Sequence, residues 1–336
     1  MNKNMKKMAM MVMTALCCLS CGNSAQKTAN ADEQNDETKA TVYLTREISP
    51  ESLVKIYKAL GREAKGRVAV KISTGEAGNP NYLKPELIKQ LVDEVNGTIV
   101  ECNTAYEGKR MSFEDHWQVI RDHGFIPTFK VDLMDEEGEM NIPVQDTTNI
   151  KYDIVGKHLA NYDFMINLAH FKGHPMGGLG GVLKNASIGV ASANGKANIH
   201  TAGYQQVVEG LWEHVDNQDG FLESMAAAAQ AVHNYFGNGE RIIYIAVMNN
   251  MTVDCDCVAS PEPVKLKDYG ILASLDPVAL DQACVDIIFQ MKPSEGNDNQ
   301  PLIERINRQH GTHTIDHAEK IGLGSKSYEL KNIDED

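Results

Sequence analysis

The chain has 336 residues, of which 42% are hydrophobic and 23% are charged, and its formal net charge is −14 at pH 7. This length and composition are those of a globular protein with one large domain or two small ones. The acidic charge balance and the lack of a Lys/Arg block argue against a nucleic-acid partner, because contacts to phosphates need a clustered basic face.

The N-terminus has the pattern of a bacterial lipoprotein signal. Three lysines among the first seven residues precede the uncharged stretch Met8–Leu19, and the small Ser20 stands before Cys21. A basic start, a short apolar run and a small residue before the cut describe a secretory signal, and a run this short does not span a bilayer. We predict a lipoprotein signal peptide over residues 1–20 and lipidation at Cys21, which anchors the protein to a membrane at the periplasmic face or the cell surface. The alternative is an ordinary signal peptide with incidental cysteines.

The segment after Cys21 has the composition of a tether. Residues 23–39 contain no aromatic or large aliphatic side chain, so they cannot bury a core, and we expect a disordered tether over residues 21–39. The rest of the chain has no internal repeat and no linker rich in proline or glycine. We therefore expect one domain over residues 40–325 and a frayed tail over residues 326–336.

Runs of β-branched and aliphatic residues alternate with amphipathic segments along this domain. The runs predict strands at Thr41–Thr45, Arg67–Ser73, Gly97–Cys102, Asp163–Ala169 and Arg241–Val247. The amphipathic segments predict helices at Ser49–Leu60, Pro85–Val95, Ser112–His123, Leu222–Tyr235, Pro277–Gln290 and Pro301–Ile321. Ser49-Pro50 and Asp276-Pro277 each place a capping side chain before a proline at the first helical position. This order predicts an α/β fold, a single mixed-sheet domain flanked by helices.

The densest group of ligand-binding residue types is the segment HFKGHPMGGLGGVLKN, residues 170–185, directly after a predicted strand. Its five glycines permit close backbone approach to a ligand. Exposed backbone N–H groups, with Lys172, Lys184 and Asn185, suit an anion. His170 and His174 are candidate metal ligands, although the glycine and proline beside His174 argue against a helical ligand pair. The alternative is a structural turn with internally hydrogen-bonded histidines.

Two shorter segments add to this candidate site. The polar stretch GKANIH, residues 195–200, is expected to close over the glycine-rich segment, with Lys196 near an anion and His200 available to a metal. The loop ECNTAYEGKR ends a predicted strand, where an open α/β sheet places its ligand, and it offers Asn103 and Arg110 for binding. The alternative for this loop is a hydrogen-bonded turn.

The cysteines suggest a metal site. Four of the seven lie within the domain: Cys102, Cys255, Cys257 and Cys284. No C-x-x-C occurs among them, which excludes a zinc ribbon and a thioredoxin motif. Thiolates of the C-x-C pair, Cys255 and Cys257, are soft metal ligands, and His170, His174 or His200 has to join them to complete a tetrahedral set. The alternatives are a vicinal disulfide or passive buried thiols.

Six segments carry a resemblance to a known family. In chain order they are KISTGEAGNPNYLKPELIKQLVDEV, NTAYEGKR, HFKGHPMGGLGGVLKN, GKANIH, DCDC and DYGILASLDPVALDQA. Together they resemble domain of unknown function family 362, in its branch of uncharacterised Fe–S-centre proteins, over about residues 40–290. The resemblance implies a ferredoxin-like insert, with C-x-x-C-x-x-C-type cluster ligands, between the GKANIH and DCDC segments.

The interval that would hold those ligands, Thr201–Arg241, contains no cysteine. We therefore predict that the domain holds no full ferredoxin-type iron–sulfur cluster, and we expect a divalent transition metal as the cofactor. The favoured function is a metal-dependent or redox-linked protein, such as an oxidoreductase, whose lysines bind an anionic small molecule. Two alternatives are a non-catalytic binding lipoprotein for such an anion and a degenerate scaffold that lost its iron–sulfur insert.

Overall fold

The computed structural model of the protein describes residues 39–334. The predicted signal peptide, the predicted lipidation site Cys21 and the predicted tether up to residue 38 lie outside the described residues. None of the helices in the described part of the chain combines the length and the apolar character that crossing a bilayer requires.

Strands and helices alternate through much of the described chain. The strands are β1 (Ala40–Thr45), β2 (Val68–Lys71), β3 (Thr98–Glu101), β4 (Val131–Leu133), β5 (Glu139–Pro143), β6 (Tyr152–Gly156), β7 (Phe164–His170), β8 (Lys172–His174), β9 (Gly178–Gly180), β10 (Ile242–Met248), β11 (Gly270–Ser274) and β12 (Tyr328–Asn332). The α-helices are α1 (Pro50–Ala59), α2 (Pro85–Glu94), α3 (Phe113–Asp122), α4 (Phe125–Thr128), α5 (Val182–Ala186), α6 (Ala193–His200), α7 (Gln218–Tyr235), α8 (Pro277–Gln290), α9 (Gln300–Arg308) and α10 (His313–Lys320). Short 3-10 helices cover Lys157–Asn161 and Leu211–Glu213.

The central sheet has eight strands in the order β12-β1-β11-β10-β7-β2-β3-β4. From β10 to β4 all neighbours are parallel, whereas β11 runs antiparallel to both β10 and β1. Two hairpins, β5–β6 and β8–β9, pair separately. The predicted fold class, an α/β domain with a mixed sheet flanked by helices, is confirmed.

Both faces of the central sheet are buried. Along β7, Met165 and Ala169 join one hydrophobic cluster, while Ile166 and Leu168 join the other. Helices α5, α7 and α8 pack on the first face, and α1 and α2 on the second. Burial on two faces explains why the central strands read as continuous apolar runs rather than alternating ones.

The two helix starts predicted from Ser-Pro and Asp-Pro are present. The hydroxyl of Ser49 accepts the N–H of Ser52 at 3.1 Å. The carboxylate of Asp276 accepts the N–H groups of Val278 and Ala279 at 2.8 and 3.0 Å. Each cap satisfies backbone donors that the first helical turn leaves without a partner.

The frayed tail expected from residue 326 is wrong over residues 328–332. This segment is β12, which pairs in parallel with β1 from Ala40 to Leu44. The carboxylate of Asp334 then accepts the N–H of Arg46 at 2.7 Å. The physical reason is that β1 would otherwise leave a row of backbone donors and acceptors without partners at the sheet edge. The sequence YELKN is largely polar, so this strand was not predicted.

Candidate functional site

A cavity of about 270 Å³ lies at the carboxyl ends of the parallel strands. Lys71 ends β2, Glu101 ends β3, His170 ends β7, and the turn 254–257 follows β10. All four contribute to the cavity wall. Parallel strands end at one edge of the sheet, which is where open α/β sheets bind their ligands. The structure thus brings together the segments that the sequence marked as candidates.

Cys255 and Cys257 lie in a tight turn and are joined by a disulfide. The N–H of Val258 donates to the carbonyl of Cys255 at 3.0 Å, which closes the turn. A ring nitrogen of His174 and the two sulfur atoms all lie within 4.8 Å of one another. Within residues 39–334, these His and Cys side chains are the group whose donor atoms lie close enough together to hold a metal ion.

Gly173 allows His174 to approach this turn. The N–H of Gly173 donates to the carbonyl of Thr252 at 2.8 Å. A Cβ at position 173 would collide with the carbonyl group of Val253. Because only glycine permits two backbones to come this close, the glycine fixes where the imidazole sits.

The imidazole of His174 is neutral and its tautomer is set by the backbone. Nδ1 accepts the N–H of Gly177 at 2.8 Å and that of Met176 at 3.3 Å, so the ring hydrogen is on Nε2. Burial, followed by the charges of Lys184 and His200, lowers the pKa of His174 well below its ordinary value.

His170 is not part of the converging group, which corrects its prediction as a metal ligand. Its Nδ1 donates to Asp256 at 2.9 Å and its Nε2 donates to the carbonyl of Asn249 at 2.6 Å. Both partners are acceptors, so neither ring nitrogen has a free lone pair. Lys172 Nζ also donates to Asp256 at 2.6 Å. Burial opposes the ionisation of Asp256, but His170 and Lys172 hold its pKa well below its ordinary value.

His200 is likewise outside the converging group. The GKANIH segment is not a polar flap but part of the buried helix α6, whose cap Ser192 accepts the N–H of Gly195 at 3.0 Å. His200 lines the cavity, but its Nδ1 donates to the carbonyl of Lys196 at 2.7 Å and its ring stacks on Phe221 with centroids 4.7 Å apart. Burial lowers the pKa of His200 to about 4. The helix corrects the prediction for the segment, and the converging group of His174, Cys255 and Cys257 corrects the prediction of His200 as a metal ligand.

Arg110 lines the cavity as part of a compensated network. Its guanidinium lies 3.4 Å from the carboxylate of Glu101 and 3.5 Å from that of Glu76. His116 contacts Glu101 at 2.8 Å and Asn103 at 2.9 Å. Burial opposes the ionisation of Glu101, yet Arg110 and His116 hold its pKa far below its ordinary value. Asn103 orients His116 and does not line the cavity, which corrects its prediction as a ligand-binding residue.

Three further lysines that line the cavity, Lys71, Lys184 and Lys196, form no ion pair within the described residues. Lys71 Nζ donates to the side-chain oxygen of Asn185 at 3.2 Å, and Lys196 Nζ donates to a backbone carbonyl at 2.5 Å. Burial lowers the pKa of Lys71 to about 8. Burial, and after it the charge of Lys172, lowers the pKa of Lys184 to about 7. The cavity therefore holds three lysines that form no direct pair with a carboxylate of the described residues, and a bound anion would favour their charged form.

The glycine-rich segment does not offer free N–H groups to an anion at the start of α5. The N–H groups of Val182 and Leu183 donate to the carboxylate of Asp281 at 2.8 and 2.9 Å. A Cβ at Gly181 would collide with that carboxylate. Burial raises the pKa of Asp281 to about 7. This corrects the expectation of backbone anion binding and leaves the lysines as the donors.

Sequence reasoning missed three residues of the cavity wall. Lys71 closes the buried strand VAVK, and a lone lysine at the end of an apolar strand was the available signal. Asp256 stood in the DCDC motif but was not assigned a partner. Trp212 lies in a segment without a recognisable motif, and only the fold brings it to the cavity.

A four-thiolate iron–sulfur cluster does not fit the remaining cysteines. Cys102 Sγ donates to the carbonyl of Val190 at 3.3 Å. Cys284 is fully buried in helix α8 among core side chains. Neither thiol joins the Cys255–Cys257 turn, so the described residues supply two sulfur donors and one imidazole rather than a ferredoxin set.

Fold and site together define an α/β protein with a cationic cavity beside a Cys–His cluster at the carboxyl edge of a mixed sheet. The family model described as Domain of unknown function (DUF362) matches residues 68–286. The chain belongs to this family. The match includes every segment of the cavity described above.

Two solved structures show distant similarity. A protein from Thermotoga maritima shares 12% identity at a TM-score of 0.39, over 81% of this chain and 58% of that chain. The lactate racemase apoprotein from Thermoanaerobacterium thermosaccharolyticum shares 14% identity at a TM-score of 0.34, over 62% of this chain and 50% of that chain. The chain thus spans only part of the length of either protein. No protein of curated function matches it significantly in sequence.

Proposed function

We propose that this protein is an exported lipoprotein with a redox-linked metal site next to an anion-binding cavity. With Cys255 and Cys257 reduced, their thiolates and His174 hold one thiophilic divalent metal ion. The lysines of the cavity hold an anionic small molecule beside it. One observation carries the proposal: the three donors lie within 4.8 Å of one another in the wall of a cavity with uncompensated lysines.

The donor set has the chemistry of an open metal site. Two thiolates and one imidazole leave the fourth tetrahedral position for a ligand, as in sites that use their metal as a Lewis acid. The metal needs thiolates, so the disulfide has to be reduced first. An external dithiol does this by exchange: its two sulfurs become a disulfide, and Cys255 and Cys257 each gain one electron and one proton.

His174 is the weakest of the three donors. Its Nδ1 already accepts backbone N–H groups, so a metal at Nε2 requires the other tautomer, with the ring hydrogen on Nδ1 and those two hydrogen bonds broken. Metal binding releases protons from the thiols, so the affinity should rise with pH. Zn²⁺ and Fe²⁺ are the first ions to try, because both accept sulfur and imidazole ligands.

The test is metal content of the reduced and the oxidised protein, measured after anaerobic purification with and without a dithiol. We expect one equivalent of metal per reduced chain and none per disulfide-bonded chain. Cys255→Ser should abolish binding, His174→Ala should weaken it, and Lys184→Ala should leave it intact, since Lys184 is not one of the three converging donors. Cys284→Ala is the matched control for loss of a buried thiol. Unchanged metal content in both Cys255→Ser and His174→Ala would overturn the shared site.

The disulfide itself favours a second candidate function, a non-catalytic binding lipoprotein for an anion. With the sulfurs bonded to each other, the lysine-lined cavity keeps its positive charge while the metal donors are blocked. Anion binding that is equally tight in reduced, oxidised and metal-free protein would select this candidate.

The export half of the proposal rests on the N-terminal sequence pattern. Mass spectrometry of the protein from its native membrane should show an acylated chain that begins at Cys21. Cys21→Ala should remain unprocessed. A mature chain without acyl groups would refute the lipid anchor and leave the metal and anion proposals standing.

A further inference from the structure

The floor of the cavity and its border with solvent differ in chemistry. Lys71 and Lys196 are 2% and 6% exposed, so they lie deep in the cavity. Trp212 also lines the cavity, yet it is 48% exposed. Met176, half-buried, lines the cavity as well. The cavity therefore has unpaired lysines at its buried end, beside the paired carboxylates of Glu101 and Asp256, and apolar side chains at its border.

Trp212 is held in this position by its neighbours. Leu211 is fully buried against Ala197 of α6 and against Ala105, which lies in the loop of residues 101–110 (the Arg110 loop). The ring of His200 meets the indole edge-on, with centroids 6.1 Å apart. An aromatic side chain fixed in this way and exposed at a cavity border offers a flat contact surface at a low cost in conformational entropy.

We infer that the ligand is a small phosphate-like dianion that carries an apolar substituent. Its charged head lies among Lys71, Lys184 and Lys196, and its substituent lies against Trp212 and Met176. Three lysines without a direct carboxylate partner favour a doubly charged head over a singly charged one, because a dianion holds more of them in their charged form. An apolar substituent covers the indole, which a bare anion leaves exposed to water. The inference rests on the anion-binding half of the proposed function and specifies its ligand class.

The experiment compares inorganic phosphate with phenyl phosphate on the purified full chain. The two probes share the head and differ in the ring. We expect phenyl phosphate to bind roughly tenfold more tightly, which is the size of one good aromatic contact. The chain has two tryptophans, so Trp117→Phe leaves Trp212 as the fluorescent reporter, and its emission should change with phenyl phosphate.

Two variants decide the matter by isothermal titration calorimetry. Trp212→Ala should bring the affinities for the two probes to within about twofold and leave the affinity for phosphate unchanged. Trp117→Phe is the matched control, because Trp117 is on α3 and its indole donates to Glu136 at 3.0 Å. It should keep the tenfold ratio.

Two results would overturn the inference and spare the anion site: equal affinities of the wild type for both probes, or an unchanged ratio in Trp212→Ala. If neither probe binds the wild type, the anion-binding half of the proposed function falls together with the inference.

Discussion

The cations around the cavity fall into two groups that differ in what holds them. Arg110 and Lys172 each contact a buried carboxylate, Glu101 or Asp256, whose pKa is held low. Lys71 and Lys196 donate to neutral oxygens, and Lys184 forms no ion pair within the described residues. A buried charge with a good partner maintains the architecture, whereas one without a partner costs stability that only a ligand restores. The first group is therefore expected to stabilise the fold, and the second group is expected to bind the ligand.

Asp256→Asn tests the compensated group and should have the largest effect. It leaves Lys172 and His170 buried without a counter-charge, so we expect a loss of about 3–5 kcal/mol in the free energy of unfolding. Urea unfolding measures it. Asp93→Asn is the control, because its pair with Lys89 is exposed and such pairs contribute less than about 1 kcal/mol. Equal losses in both variants would contradict the comparison.

Lys71→Met tests the uncompensated group through pH. The pKa of Lys71 is lowered to about 8 in the folded protein, against about 10.4 in an unfolded chain. Between these values the unfolded chain retains a proton that the folded protein has released, so the free energy of unfolding rises with pH. The wild type should gain up to about 3 kcal/mol relative to Lys71→Met from about pH 7 to about pH 10.

Denaturant titrations of both proteins at each pH give this difference and cancel the other titrating groups. A difference that does not change with pH would mean that Lys71 is compensated in the folded protein.

Lys172→Met and Lys184→Met compare one lysine from each group directly. Lys172→Met leaves the buried Asp256 with His170 alone, and we expect a loss of about 1–3 kcal/mol. Lys184→Met removes a charge without a partner, so stability should stay within about 1 kcal/mol of the wild type or increase. Phosphate affinity should fall in Lys184→Met. Thermal unfolding without added anion and phosphate titration distinguish the two variants, and reversed stabilities would sink the comparison.

The sequence was informative where one local pattern decided the structure. Largely apolar runs identified β7 and β10, because burial on both sheet faces favours apolar residues at most positions. Ser49 and Asp276 identified two helix starts because capping depends on three or four neighbouring residues. Strand β12 was not predicted, since its sequence YELKN is polar and its pairing with β1 spans more than two hundred residues.

The same limit applies to the site. The glycine-rich segment, the Arg110 loop and the Cys255–Cys257 turn were predicted to meet because each follows a strand. The sequence did not show which histidine is free to bind a metal, because His170 forms hydrogen bonds with Asp256 and Asn249, which are distant from it in the sequence. Lys71 and Trp212 could be assigned to the site only from the fold, which places them beside the other segments.

Strand β12 affects the order in which the central sheet can form. β1 lies between β11 and β12, so both neighbours of the first strand come from residues 270–332. Pairing over such a separation closes a very long loop, which is slow and comes late. Until residues 328–332 are available, one edge of β1 has no strand to pair with. Completion of the sheet at its first strand therefore depends on the last strand of the described chain, so a chain shortened before residue 328 would expose the edge of β1.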